Sequence, residues 1–430
     1  MNLAPAGDRA LLADLGEVSA AELHAANARV RAIPAVVQSI PGHSSLYVIF
    51  NDTPDPEALR RALQTADNQQ PATSNKTHRI PVQFDGEDLE ELLTHAGMTR
   101  DHFLSRVNGL RLMARYLGFR GGFAYLDGWP EEWSMPRRAT SRPVRRGSFA
   151  IAGNVAGFYP IDTPGGWNIL GRTSADLEHA IDAGDTLTLV AVDALPTPEP
   201  ARSRESSDMR PPAELLQSPL TLWTSTPFDT MAAAIANHAV GNAADAPLFE
   251  CPLVGPRLRF TRDVVVAWCT PSLQVTVTRV RAGEERTFGR VTGGLRAYLA
   301  IGSREGIVAT VDRGDRHVIH AMAGPHDGGL QRVECEVTPQ LDRVGIRLRP
   351  LTAIDVQAPA DLRSIGMQCG TVQLHPGGHL VAMGPDHPVT GGYLQPMTVV
   401  SEERWKLAQL TPGERVTFIV ANAVPRASSV

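Results

Sequence analysis

Between positions 115 and 173 the chain reads RYLGFRGGFAYLDGWP, then MPRRATSRPVRRGSFAIAGNVAGFYP, then IDTPGGWNILGRT, with arginines set among glycines and aromatics. Guanidinium forks beside glycine turns with free N–H groups suit a phosphate or a planar anion. Arg137, Arg142 and Arg172 are the candidates to neutralise it. A solvated basic rim would have the same composition, but Phe123, Tyr125, Tyr159 and Trp167 nearby favour a walled pocket. Within TPGGW, Gly165 and Gly166 either adopt positive φ or let a neighbour approach closely, and Pro164 fixes φ just ahead of them. A bulge or tight corner explains the pair equally well.

The same pattern recurs near the C-terminus. TPGGW is followed by DLEHAIDAGDTLTLV, and VTGGY by RWKLAQLTPGERVTFIV. Each copy runs from a Gly-Gly-aromatic corner through a helix-like stretch to a glycine, an acid and an apolar strand. Asp162 precedes one corner and Asp386 the other. The repetition implies an internal duplication of one β-barrel type. Gly165, Gly166, Gly391 and Gly392 would then offer backbone N–H groups, and Trp167 and Tyr393 would wall a pocket. Gly122, Thr390, Asp342 and Arg343 complete the candidate binding set. Asp386 is the carboxylate singled out for metal or proton work, with Arg142 and Arg172 beside it as catalytic candidates. Asp127, Asp162, Asp342 and Asp386 all stand in turn-rich contexts, where turn-forming Asp is the ordinary explanation.

Other signals are weaker. HVIH, 317 to 320, lies in a strand-like context that sends its two rings to opposite faces, so no shared metal is expected. HPGGH, 375 to 379, is a turn without a third ligand, and no metal site is assigned. No GxSxG elbow is present. Lys76 and Lys406 are the only lysines. This excludes a P-loop and a biotinyl-lysine carrier, and neither lysine stands in a context that looks catalytic. Four cysteines without CxxC spacing fit buried, reduced thiols.

These groups need elements to hold them. Ser19 precedes the helical pattern AAELHAANARVR as an N-cap, strand-like DRALLADLG comes before it, and VVQSIPGHSSLYVIF follows as a hairpin. PDPEALRRALQTA reads as a second helix with Pro56 in its first turn. From 116 to 193 short apolar runs separated by glycine turns predict barrel or sandwich strands. The reading is mainly β with an α+β N-terminal domain and duplicated β-barrels. The boundaries are 1–78 for the α+β domain, 79–196 for the first barrel, 197–214 for a Pro/Ser/Arg-rich linker and 215–430 for the second barrel region. The formal charge of −5 and the absence of an apolar run long enough to span a bilayer suggest neither nucleic acid nor membrane. The N-terminus has no signal-peptide pattern, so a soluble, cytoplasmic protein is expected.

LGFRGGFAYLDGWP, MPRRATSRP, GSFAIAGNVAGFYPIDTPGGWNILGRT and AGDTLTLV together resemble the first subunit of bacterial 5-oxoprolinase, also known as KipI or allophanate hydrolase subunit 1. ANHAVGN, GPRLRFTRD, DRVGIRL, GTVQLHPGGHLVAMGPDHPVTGGY and RWKLAQLTPGERVTF resemble the partner subunit, KipA. The resemblance runs in order along nearly the whole chain, so it implies a natural fusion of the two. It also implies cyclophilin-like barrels in both halves and ATP-dependent opening of 5-oxo-L-proline to L-glutamate through a phosphorylated lactam. The implied co-substrate is ATP with Mg²⁺, and the implied partner is a LamB/YcsF-type subunit. The same pair of domains is similar to the carboxyltransferase part of urea carboxylase, which works with a biotin carrier. Gly121 stands where the family has proline, and SPLTLWTSTPFDTMAA, with Phe228 and Asp229, replaces the TVQD- and SGAMD-type segments. A binding or regulatory module without turnover therefore stays open beside the enzyme, as does homo-oligomerisation.

Overall fold

The structure, a computed structural model, describes residues 1–64, 76–118, 122–177, 180–197, 211–217, 220–309, 311, 313–359 and 362–421. The expected turn at Gly121 and most of the expected linkers at 67–78 and 197–214 lie outside the described residues. The chain forms two compact units. The first comprises 1–202 together with 359–367 and 388–393, and the second holds the remainder.

In the first unit the N-terminal layer is a four-stranded antiparallel sheet in the order Asn2–Gly7, Ala10–Asp14, Ser45–Phe50, Val36–Pro41. The helices Ala20–Arg31 and Pro56–Gln64 accompany it. Ser19 caps the first helix in a reciprocal capping box with Glu22. The opening strand was not expected, because Pro5 and Gly7 depress strand propensity. Pairing with Ala10–Asp14 overrides that preference, with a register shift between Pro5 and Gly7.

A seven-stranded sheet follows, in the order Asn168–Arg172, Ser148–Ala152, Val155–Phe158, Phe123–Asp127, Arg111–Gly118, Thr186–Ala191, Thr77–Val82. Its core gathers Phe84, Phe103, Trp133, Phe149 and Leu170. Thr99 caps the helix Arg100–Val107, which adds Phe103 and Val107 to that core. In the second unit, Val318–Ala323, Leu394–Val399, Thr371–Leu374, Leu380–Met383, Gly345–Pro350, Arg332–Leu341 and Arg415–Ala421 close into a barrel. A five-stranded and a three-stranded sheet complete this unit, with the helix Thr230–Ala239 capped by Asp229.

The duplication is visible in the pairing. Each seven-stranded sheet joins its first and last strands in parallel, Thr77–Val82 with Thr186–Ala191 and Val318–Ala323 with Arg415–Ala421. The acid after the repeated glycine does the same work in both copies. Asp185 accepts from the Asp182 amide within its own turn and clasps the Lys76 amide and the His78 ring of the first strand. Glu414 accepts from the Thr411 amide and holds Arg316 just ahead of the first strand. A carboxylate that satisfies backbone and side-chain donors together fixes where two strands distant in sequence meet. The Gly-Gly corners also match. Each pairs with a short upstream strand in a separate two-stranded ribbon, Thr163–Gly165 with Arg142–Val144 and Thr390–Gly391 with Ile365–Gly366.

Candidate functional site

Strand pairing builds an aromatic wall in the first unit. The register places Tyr116 opposite Tyr125, and their rings stack at 4.4 Å and 14°. Gly118 must lack a side chain here, since a Cβ would lie 2.4 Å from the Tyr125 ring. Phe123 stands edge-on to Tyr159 at 5.4 Å and to Trp167 at 5.3 Å, and Tyr125 lies 5.6 Å from Trp167. Burial pushes the phenols of Tyr116, Tyr125 and Tyr159 above their ordinary range, so all three stay protonated at neutral pH. A register shift beside Ala114 and Tyr116 turns Arg115 toward the N-terminal layer, where it donates to the His43 and Val18 carbonyls and pairs with Asp127 at 2.6 Å.

The glycine corner serves close approach and not left-handed backbone, for neither Gly165 nor Gly166 has a positive φ. A Cβ on Gly165 would sit 2.2 Å from the Tyr159 hydroxyl, and one on Gly166 would sit 3.0 Å from Arg137 Nε. The two glycines thus admit a tyrosine on one side and an arginine on the other, just ahead of Trp167 in the chain. Gly122, at φ 92°, is a left-handed position at the entry to the Phe123 strand.

The three candidate arginines separate. Arg142 pairs with the buried carboxylate of Asp88, which also accepts from Arg138 and from the Ile169 amide at 2.6 Å. Arg172 lies at the opposite end of the Asn168–Arg172 strand from Trp167. There it donates to Asp85 at 3.0 and 2.9 Å and to Gln83 at 3.3 Å. Arg137 is exposed, its charge reaches both Tyr125 and Tyr159, and it has no ion-pair partner among the described residues.

The second corner, encoded far downstream, belongs to the same unit. Thr390 Oγ1 donates to the Leu117 carbonyl at 2.8 Å, and Tyr116 hydrogen-bonds Ser364. Gly391 pairs with Ile365, a Cβ on Gly392 would meet Ser364 Oγ at 3.5 Å, an ordinary contact, and Tyr393 is 41% exposed. The two corners therefore flank one Tyr116–Tyr125 stack.

Asp386, Asp342 and Arg343 stand in the second unit. The Arg343 guanidinium grips Asp386 at 2.8 and 2.9 Å and also reaches Glu250 at 3.0 Å and the Thr226 carbonyl at 2.8 Å. Burial works against its charge, but Asp386 and Glu250 outweigh that and raise its pKa. Asp342 accepts from the Val344 and Gly345 amides, as a turn-forming aspartate does.

Sequence reading passed over the polar core of this unit. Asp229, fully buried, accepts from the Ala232 amide at 3.0 Å, from Gln409 at 2.8 Å and from Arg313. Glu250 accepts from the Phe228 amide and from Tyr298, and pairs with Arg296 at 3.2 Å. Only the substituted motif at Phe228 and Asp229 hinted at it. His317 and His320 face different partners, Asp315 and Glu403, while the His375 and His379 rings stack 5.2 Å apart. Burial pushes the thiols of Cys269 and Cys335 up to about 12, which leaves them unreactive. No described helix is long and apolar enough to cross a membrane.

Comparison with known proteins agrees with this architecture. The family model "Carboxyltransferase domain, subdomain C and D" matches residues 1–182, and "Carboxyltransferase domain, subdomain A and B" matches 220–329 and 303–420. The B subunit of 5-oxoprolinase from Escherichia coli O157:H7 is 33% identical over 154 residues, covering 34% of this chain and 70% of that protein. The C subunit of 5-oxoprolinase from Haemophilus influenzae is 24% identical over 253 residues, covering 44% of this chain and 80% of that protein. The crystal structure of TTHA0988 superposes with a TM-score of 0.78 at 25% identity, covering 96% of this chain and 99% of that one. The chain belongs to the carboxyltransferase-domain family, as a fusion of two halves that resemble the B and C subunits of 5-oxoprolinase in that order.

Proposed function

We propose that this protein is a component of an ATP-dependent 5-oxoprolinase, opening 5-oxo-L-proline to L-glutamate through a phosphorylated lactam with a LamB/YcsF-type partner subunit. One observation supports the reading above others. Arg137, the one candidate arginine without an ion-pair partner among the described residues, lies beside Gly166 with its charge reaching Tyr125 and Tyr159 of the aromatic wall that the two glycine corners flank. An uncommitted guanidinium can take a carboxylate or phosphate without first breaking an internal pair. Phe123, Tyr125 and Trp167 would pack against a five-membered ring and keep water from it. Tyr159 would add a phenol beside Gly165, while Thr390 braces the second corner through the Leu117 carbonyl. ATP enters as co-substrate, with Mg²⁺ as its counter-ion.

Asp386, Arg142 and Arg172 are left with narrower parts. A carboxylate gripped by Arg343 would have to exchange that partner before it could move a proton or hold a metal. This commitment favours, as the second reading, a module that binds a metabolite or protein without turnover. The carboxyltransferase name of the family favours transfer to an amide from a carrier supplied in trans.

The experiment is ATP consumption by the purified chain plus a LamB/YcsF-type partner, with and without 5-oxoproline, following ADP and glutamate. Release of both that depends on substrate and partner supports the enzyme. No turnover, while an intact subunit pair is active with the same partner, supports the binding module.

A further inference from the structure

Lys406 is one of two lysines in the chain and is 6% exposed, whereas the Lys76 side chain is 66% exposed. Its ammonium donates to the Val318 carbonyl at 2.6 Å and pairs with Glu403 at 2.9 Å. An ammonium carries three N–H donors, so these two acceptors leave one. Glu403 has little left to give it. One oxygen accepts from the His320 amide at 2.7 Å as well as from Lys406, and the other meets the His320 ring at 2.9 Å.

The space beside Lys406 is a cleft of about 460 Å³ in the second unit, lined by Thr230, Met231, Arg313, Glu403 and Trp405 among others. Arg313 and Trp405 also wall a second cleft of about 310 Å³, lined by Ser272, Arg316 and Gln409. The Arg313 guanidinium lies 4.2 Å from the centre of the Trp405 ring, and Lys406 Nζ lies 6.0 Å from it. Arg313 is held by Asp229 and by the Pro271 carbonyl at 2.8 Å, while its Nε has no hydrogen-bond partner. Two cations next to the same indole keep donor capacity unfilled, while the nearby carboxylates are committed: Glu403 is shared with His320, and Asp315, which lines the second cleft, accepts from the His317 amide and meets its ring. Glu402 at the mouth is solvent-exposed, where its repulsion is screened.

We propose that the cleft beside Lys406 and Trp405 is a second ligand site, separate from the aromatic wall of the first unit, and that it takes a small carboxylate. One carboxylate oxygen accepts the third N–H of Lys406, and the Trp405 edge packs against the carbon skeleton behind it. The proposal does not depend on the 5-oxoprolinase reading.

Two lysines make the test direct. In the full chain labelled with ¹⁵N-lysine, the Nζ resonances are followed while acetate is added against matched sodium chloride, with acetamide as the uncharged counterpart. The expected result is a saturable shift of the Lys406 signal with acetate, none with acetamide and none at Lys76. Thr230→Trp, which fills the cleft from an exposed position without touching the Lys406 pair, should keep the Lys406 resonance in place and abolish the acetate shift. A Lys406 signal that acetate leaves unmoved, that acetamide moves equally, or that still titrates in Thr230→Trp overturns the proposal.

Discussion

Among the arginines, what distinguishes a ligand contact from a brace is which carboxylate lies within reach. Arg137 has none among the described residues, so on the proposed function Arg137→Ala should leave the melting temperature nearly unchanged and lower substrate-dependent ATP turnover by roughly 10²-fold, the loss typical of a charge-assisted contact. Arg142 is bound to Asp88, which is 3% exposed, so Arg142→Ala leaves a buried carboxylate one partner short. The expected cost is about 1–3 kcal/mol in urea unfolding, with Arg138 limiting the loss. If Arg142→Ala were as stable as the parent and inactive, the two residues would exchange roles. Both arginines sit in the same short run of sequence, and nothing there announces that Asp88 is the partner of only one.

At the scale of elements, the HPGGH turn makes a pH prediction. Burial first, then His379 and Arg347, pull the His375 imidazole down to about 4. The unfolded chain, with an ordinary histidine near 6.5, binds more protons than the folded one between these values. Stability should therefore be intact above about pH 6.5 and fall as the pH drops toward about 4. His375→Gln should flatten that part of the curve, measured by thermal unfolding from pH 4 to 7. Elements with strong local signals were legible in the sequence, among them the Ser19-capped helix and the helix with Pro56 in its first turn. The Asn2–Gly7 strand was not, because pairing and not propensity makes it. Lys406 was set aside for a similar reason: SEERWKLAQL reads as a helix-like stretch with no catalytic context, and packing turns the lysine inward.

For the molecule as a whole, the first unit is assembled from both ends of the chain. Gly42 and His43 meet Ser364, Tyr47 packs on Gly366, and Arg363 pairs with Glu17. A fragment of residues 1–202 lacks these segments and exposes Tyr47, so it should be less soluble and more protease-sensitive than the same unit in the full chain. Co-expression with 203–430 should restore protection, and an equally resistant lone fragment would argue that the segments are dispensable. The sequence by itself determined the fold class, the duplication and the positions of the glycine corners, because strand periodicity, repeated glycine-acid spacing and turn chemistry are local properties that short windows carry. The tertiary structure alone decided that both corners flank one tyrosine stack, that Arg142, Arg172 and Asp386 are paired while Arg137 has no ion-pair partner among the described residues, and that Lys406 lines a cleft. Each of these depends on which distant residues strand order and burial bring within a few ångströms.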